Sequence, residues 1–343
     1  METIFVVDDC DVDLVMVKQA LEGSYTVFAL TSAEAMFELI DTVLPDLVLL
    51  DIRMPDMDGF TTLGRLAADA RTATVPVIFM TSYGDPETEA HGFEAGIVDF
   101  INKPFSQTVL LRRVGSHLRI DDLIKRRTAK LWRLKNGIVS VLADIVEFRD
   151  EATGGHIDRT SQCIRVLIEA LRENGVYANE IAEWDIDTVV ASARLHDIGK
   201  IAVSDMILNK PGKLTPEEFA AVKSHVSEGE RIIDKIVAKT GDEEFLQIAR
   251  LFVSYHHERW DGTGYPYGLA GTNIPLIGRI MAIIDVYDAL VSVRPYKKPF
   301  SPDLALSTIM QESGKHFDPN IAEVFFLKRE TFKAIAANTE KHG

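Results

Sequence analysis

Four short apolar runs in the first hundred residues each stop at a polar residue: TIFVV (3–7), DLVLL (46–50), VPVIFM (75–80) and VDFIN (98–102). The stops are Asp8 and Asp9, then Asp51, Thr81 and Lys103. Segments of helical character, 12–22, 32–43 and 86–95, lie between the runs. Strands alternating with helices argue for a parallel sheet covered by helices on both faces. In such a sheet the ligand site lies at the carboxyl ends of the strands. That rule gathers Asp8, Asp9, Asp51, Thr81 and Lys103 at one edge. Crowded carboxylates repel unless a cation sits among them, and oxygen-only ligands suit Mg²⁺. A carboxylate left beside Mg²⁺ and a lysine is placed to attack phosphorus. Any one of these aspartates alone reads equally well as a loop cap. The recurrence at successive strand ends is what points to a site.

The quoted residues "VVDDCDVD", "LLDIRMPDMDG", "TS" (81–82) and "KPF" (103–105) resemble the receiver domain of two-component response regulators, over residues 1–120. The resemblance implies a flavodoxin-like fold with a five-stranded parallel sheet. It implies Asp51 as phosphoacceptor, Mg²⁺ held by Asp8, Asp9 and the Arg53 carbonyl, and Thr81 and Lys103 on the phosphoryl oxygens. Phe100 stands at the family's aromatic switch position. An upstream sensor histidine kinase is the implied partner.

The chain has 343 residues, more than one typical core, so two domains and a connector are expected. The connector is 121–145. From 118 to 146 there is no proline, and Leu131, Leu134, Ile138, Val141 and Ile145 recur at spacings of 3, 4, 3 and 4. This is a short coiled-coil seam, which would support a homodimer through the receiver and linker, or else the face of a helix packed on its own domain. A net charge of −15, from 37 basic and 52 acidic residues, disfavours nucleic acid in general. No helix rich in basic residues suggests DNA recognition in 121–343. Two distant cysteines, Cys10 and Cys163, suit a reducing cytoplasm. The start METIFVVDDC turns acidic by residue 8 and does not read as a signal peptide. No apolar run approaches the roughly 18–20 residues of a membrane span. A cytoplasmic location without membrane insertion is expected.

Beyond the connector, strand patterning stops. Segments 186–200, 215–236, 243–257 and 277–293 have helical periodicity, with loops near 150–156, 203–214 and 258–276. Residues 146–343 therefore read as an all-α domain. Five of the nine histidines fall here in GGHID (His156), LHDIGK (His196), KSHV (His225) and YHHERW (His256, His257). A continuous helix over 186–200 would put Val189, Ala193, His196 or Asp197, and Lys200 on one face. Asp285 sits in the apolar IIDVYDAL, where a lone carboxylate is costly, unless an arginine such as Arg279 pairs with it. Each histidine alone is an ordinary surface or hydrogen-bonded core residue. Together they offer seven ligands, enough for two metals with positions open to water. Imidazole with carboxylate suits Fe, Mn, Zn, Ni or Co.

HDIGK and HHERWDGTGYP resemble the two defining motifs of the HD-GYP branch of the HD phosphohydrolase superfamily. That resemblance implies hydrolysis of cyclic di-GMP to pGpG, often on to GMP, with iron or manganese as the usual metals. Combined with the ligand chemistry, it implies His156, His196, Asp197 and Asp285 on one metal. Asp197 would bridge to a second, held by His225, His256 and His257. Lys200 would steady the phosphoryl oxygens or protonate the leaving group, or is simply solvated. Gly262 and Gly264 are expected to turn the chain through positive φ. Tyr265 would stack on or bond a guanine. Asp288, Arg294, Lys297 and Lys298 form a further expected substrate-binding group. One departure stands out: the third-metal glutamate of some members is Ala152 here, with Glu151 one residue earlier, which favours two metals. The rival expectations are a cyclic di-GMP receptor with weak turnover and a phosphodiesterase for another cyclic dinucleotide.

Overall fold

The structure, a computed structural model, describes residues 1–82, 86–149, 155–241, 243–292 and 298–338. Glu151, Ala152, Arg294 and Lys297 lie outside the described residues. The chain divides into two compact units, Met1–Leu131 and Trp132–Gly343.

In the first unit β1 (Thr3–Val7), β2 (Thr26–Leu30), β3 (Leu47–Asp51), β4 (Val77–Thr81) and β5 (Asp99–Asn102) form one parallel sheet. The order is β2-β1-β3-β4-β5. The side-chain period of two splits each strand between two apolar layers. Phe5, Val7, Val48, Leu50 and Phe79 pack with Met36, Leu63 and Leu66. Ile4, Val6, Leu47, Leu49, Ile78 and Met80 pack with Leu14, Val17, Leu110 and Val114. Fully burying each such side chain contributes about 1.5–3 kcal/mol, which leaves the strand ends rigid. β2 was the strand that no apolar run marked. It is the sheet edge and none of its residues is fully buried, so selection for continuous apolarity is weak there.

The second unit is helical. Leu276–Val291 is apolar almost all round and is accordingly the central helix. Its Ile277, Ile280, Met281, Ile284 and Tyr287 pack with Ile164, Leu167, Ile168 and Leu171 of the helix His156–Glu173. Two expected helices are interrupted. The segment 186–200 is an α-helix only over Ile186–Ala193, then a turn, then a 3₁₀ segment Ile198–Ala202. The 3₁₀ segment packs closely at Gly199, where a Cβ would lie 1.8 Å from the His225 carbonyl oxygen. His196 and Asp197 thus sit in the turn, and the single shared face expected from 189 to 200 does not exist. The segment 215–236 is split at Ser224 into Pro216–Lys223 and a helix His225–Thr240.

One helix, Gln107–Arg149, runs through both expected linker boundaries and the division between the units. In the second unit its Val139 and Val146 pack with Ala191, Leu195, Phe245 and Ala249. The 3-4 seam lies on another face. Leu131, Leu134, Ile138, Val141 and Ile145 remain 49–66% exposed. The face that packs on its own domain is therefore not the face with the coiled-coil spacing.

Candidate functional site

Lys103 organises the strand-end cluster of the first unit. Its ammonium lies 2.6 Å from Asp8 Oδ2, 2.6 Å from Asp51 Oδ1 and 2.9 Å from Asp13 Oδ2. Asp51 Oδ2 accepts from the Arg53 amide at 2.7 Å, and Asp8 Oδ1 from the Cys10 amide at 3.0 Å. Burial raises the Asp8 pKa above the ordinary carboxylate range, against the pull of Lys103. Thr81 is buried at the end of β4 and Asp9 is exposed. Phe100 points inward and meets the rings of Phe79 and Phe93 edge-on. The sequence reading passed over Asp13. Its signal was the second acidic pair in "DDCDVD", one helical turn beyond Asp9. With Asp8, Asp13 and Asp51 on one lysine, acid exceeds base, a setting that a hard divalent cation relieves.

In the second unit, residues from five segments converge. His156 opens its helix; His196 and Asp197 come from the tight turn and His225 from the start of the next long helix; His256 and His257 follow Glu244–Tyr255; Asp285 lies in the central helix. They form two groups, His156 with His196 and Asp285, and Asp197 with His225, His256 and His257. Within each group the candidate ligand atoms lie within 4.8 Å of one another. Asp197 faces both. Its Oδ2 is 3.3 Å from His196 Nε2, and its Oδ1 is 3.4 Å from His225 Nε2 and 3.7 Å from His256 Nε2. Asp285 Oδ1 is 3.9 Å from His156 Nε2. Arg279, the alternative partner for Asp285, pairs with Asp318 instead.

The tautomers follow from the second ring nitrogens. His196 Nδ1 donates to the Ala193 carbonyl, His225 Nδ1 to Val222 and His256 Nδ1 to Phe252. Their Nε2 atoms are left as acceptors. His225 Nε2 and His256 Nε2 then face each other at 3.4 Å, lone pair toward lone pair. The buried His196 Nε2 has no hydrogen-bond partner. A proton or a metal ion must resolve such a contact. Burial pushes the His225 pKa down to about 4, and burial with His256 and His225 pushes His257 well below its ordinary value. A proton is therefore disfavoured on His225 and His257, whereas on His156 burial is outweighed by Asp288 and the pKa is raised; the imidazole and carboxylate donor set fits divalent cations. Burial opposes the charge on Asp197, but Lys200 and His196 outweigh it and hold its carboxyl well below the usual range.

Asp288 has a different role from the one expected. It is buried, and its carboxylate accepts from His156 Nδ1 at 2.7 Å and from Arg159 Nε at 2.5 Å and Nη2 at 3.0 Å. Both oxygens are occupied, so Asp288 is placed to orient the candidate ligand His156 and has no free oxygen aimed at a substrate. Arg159, which the sequence reading missed, lies three residues after His156 and completes the pair. Burial opposes ionisation of Asp288, but His156 and Arg159 bring its pKa down to about 2.

Lys200 Nζ lies 2.8 Å from Asp197 Oδ2, at the site and not in bulk solvent. Tyr265 stacks on His257 with ring centroids 4.7 Å apart, so one ring face that a guanine would need is taken. Lys298 is exposed. Gly262 has the expected positive φ of 79°. Gly264 does not; it is required because a Cβ there would lie 2.4 Å from the Arg259 amide nitrogen. Two further acids set the loop. The buried Glu258 accepts from the amides of Tyr267, Gly268 and Leu269, and Glu230 accepts from the Tyr267 hydroxyl.

Residues 4–115 match the family described as response regulator receiver domain, and residues 140–321 that described as HD domain. The "Probable cyclic di-GMP phosphodiesterase" of Vibrio cholerae is 38% identical over 97% of this chain and 79% of its own length. The "Cyclic di-GMP phosphodiesterase response regulator RpfG" of Xanthomonas campestris is 34% identical over 84% of this chain and 77% of its own. A "3'3'-cGAMP-specific phosphodiesterase 2" of Vibrio cholerae is 37% identical over 59% of this chain and 36% of its own.

Removing the carboxylate charge from Asp288 tests its orienting role. Asp288→Asn is expected to weaken manganese affinity by about 10- to 100-fold, measured by competition with a chromophoric chelator, while the helical circular dichroism is retained.

Proposed function

Since the chain belongs to the response regulators that join an N-terminal receiver domain to a C-terminal HD domain, we propose that it is a phosphorylation-regulated phosphodiesterase hydrolysing cyclic di-GMP to pGpG. The observation that carries this reading is Asp197, whose two oxygens face two separate ligand groups. His156, His196 and Asp285 would hold one cation, and His225, His256 and His257 the other, with Asp197 shared. The donor set suits Fe, Mn, Zn, Ni or Co, and the resemblance to the HD-GYP branch favours iron or manganese. Bound there, two cations would supply Lewis-acid activation of a water and of the phosphodiester. Lys200 stands within reach of the same centre. Its ammonium is placed to neutralise a phosphoryl oxygen or to give a proton to the departing ribose oxygen. The two relatives named for cyclic di-GMP support the substrate. The relative named for 3'3'-cGAMP favours a second reading, in which a different cyclic dinucleotide is preferred.

The receiver would take a phosphoryl group on Asp51 from a sensor histidine kinase, with Mg²⁺ on Asp8 and Asp9 and with Lys103 and Thr81 at the phosphoryl oxygens. The last turn of the helix Gln107–Arg149 supports a route onward. Glu147 Oε1 accepts from the His156 amide at 2.9 Å. Arg149 donates to the carbonyls of Ile201 and Val203 and pairs with Asp205. Both sides of the metal centre are thus tied to the end of one helix. The exposed seam on that helix supports a homodimer, since a second copy would cover the five apolar side chains.

Manganese- or iron-loaded protein, assayed without oxygen, is expected to convert cyclic di-GMP to pGpG. His196→Ala with Asp197→Ala should bring both metal content and turnover to background. Binding without cleavage would make the protein a receptor, and faster cleavage of 3'3'-cGAMP would establish the second reading. Acetyl phosphate is expected to change the rate for the wild type and to leave Asp51→Asn unaffected; equal responses would remove the receiver from control. Leu134→Glu is expected to shift the protein from dimer to monomer in light scattering, and an unchanged mass would exclude the seam.

A further inference from the structure

The helix Pro216–Lys223 buries none of its residues, yet it is closely specified. Thr215 and Glu218 cap it reciprocally, and Lys210 holds Glu218 from outside. A two-turn helix that contributes nothing to the core but is fixed at its start positions its side chains for the surface it meets. That surface is the metal-site loop. Lys223 Nζ lies 4.9 Å from the centre of the Tyr265 ring and 4.8 Å from that of Phe219. Tyr265 in turn stacks on the ligand His257, and Lys223 stands two residues before the ligand His225. Lys200 and Arg259 nearby are both ion-paired, to Asp197 and to Asp261 and Glu312. Among the described residues no carboxylate lies within ion-pair distance of Lys223, and only aromatic faces hold its charge. An ammonium kept on rings beside a phosphodiester centre keeps its donors free for an anionic oxygen.

We infer that Lys223, held over Tyr265 and Phe219, is a substrate-binding residue that takes a phosphate oxygen of the cyclic dinucleotide. The inference rests on the phosphodiesterase reading above and adds to it an anchor outside the ligand set. Phe219, 45% exposed, is the positioning residue that keeps the ammonium in place.

Kinetics and binding on manganese-loaded, full-length protein test it. Lys223→Met is expected to raise KM for cyclic di-GMP by about tenfold or more, with a much smaller change in kcat. Lys223→Arg should recover most of the loss, and Phe219→Ala should give an intermediate KM. Calorimetric titration with the slowly cleaved bis-phosphorothioate analogue of cyclic di-GMP should show the same order of affinities. An unchanged KM and analogue affinity in Lys223→Met would overturn the inference while leaving the phosphodiesterase reading intact. So would a fall in thermal stability and kcat at constant KM, the mark of a purely structural contact. A wild type that neither cleaves cyclic di-GMP nor binds the analogue would end both readings.

Discussion

Two imidazole nitrogens, each with its sister nitrogen committed to a backbone carbonyl, face each other across 3.4 Å in a buried site. Most of the second unit's local architecture is explained by holding that arrangement. The turn before the 3₁₀ segment brings Asp197 Oδ1 to 3.4 Å and 3.7 Å from the two Nε2 atoms, and Gly199, with no side chain, lets that segment pack closely on the His225 backbone. The central helix delivers Asp285 from the other side. Asp288, one turn later, fixes His156 through its Nδ1. Five chain segments meet at this point, where one pair of imidazole lone pairs is opposed, a contact that a bound cation would relieve.

The first unit sets a related problem with different chemistry. There the excess is of carboxylates, and a single lysine spans three of them. Oxygen donors alone and a lysine suit a hard ion and a phosphoryl group; nitrogen-rich donors suit softer cations. The two sites thus differ in donor type within one chain, oxygen donors in the first unit and imidazole with carboxylate in the second.

Much of this was legible in the residues. Strands β1, β3, β4 and β5 announced themselves because central parallel strands are apolar without interruption, and the half-exposed edge strand β2 did not. The seven residues that cluster in the second unit were named from the histidine set and the HDIGK and HHERWDGTGYP motifs, with Asp285 marked as an acid in an apolar segment. Supporting residues were harder to see. Asp288 is grouped by sequence with the basic loop as a substrate-binding residue, since nothing local shows that Arg159 and His156, some 130 positions earlier, close on it. Lys223 and Phe219 read as ordinary residues of an exposed helix. The broken helix at 194–197 is not legible because periodicity continues through the turn, while the approach of the 225–229 backbone to Gly199 just after it is tertiary.

The last turn of the long helix also bears on where the catalytic half of the chain begins. A fragment starting at residue 150 would retain every candidate ligand and both motifs. It would leave the His156 amide without Glu147, the carbonyls of Ile201 and Val203 without Arg149, and the Phe245 and Ala249 surface without Val139 and Val146. The packing of the second unit therefore reaches back to Val139, inside the 121–145 segment that the sequence alone marks as a connector.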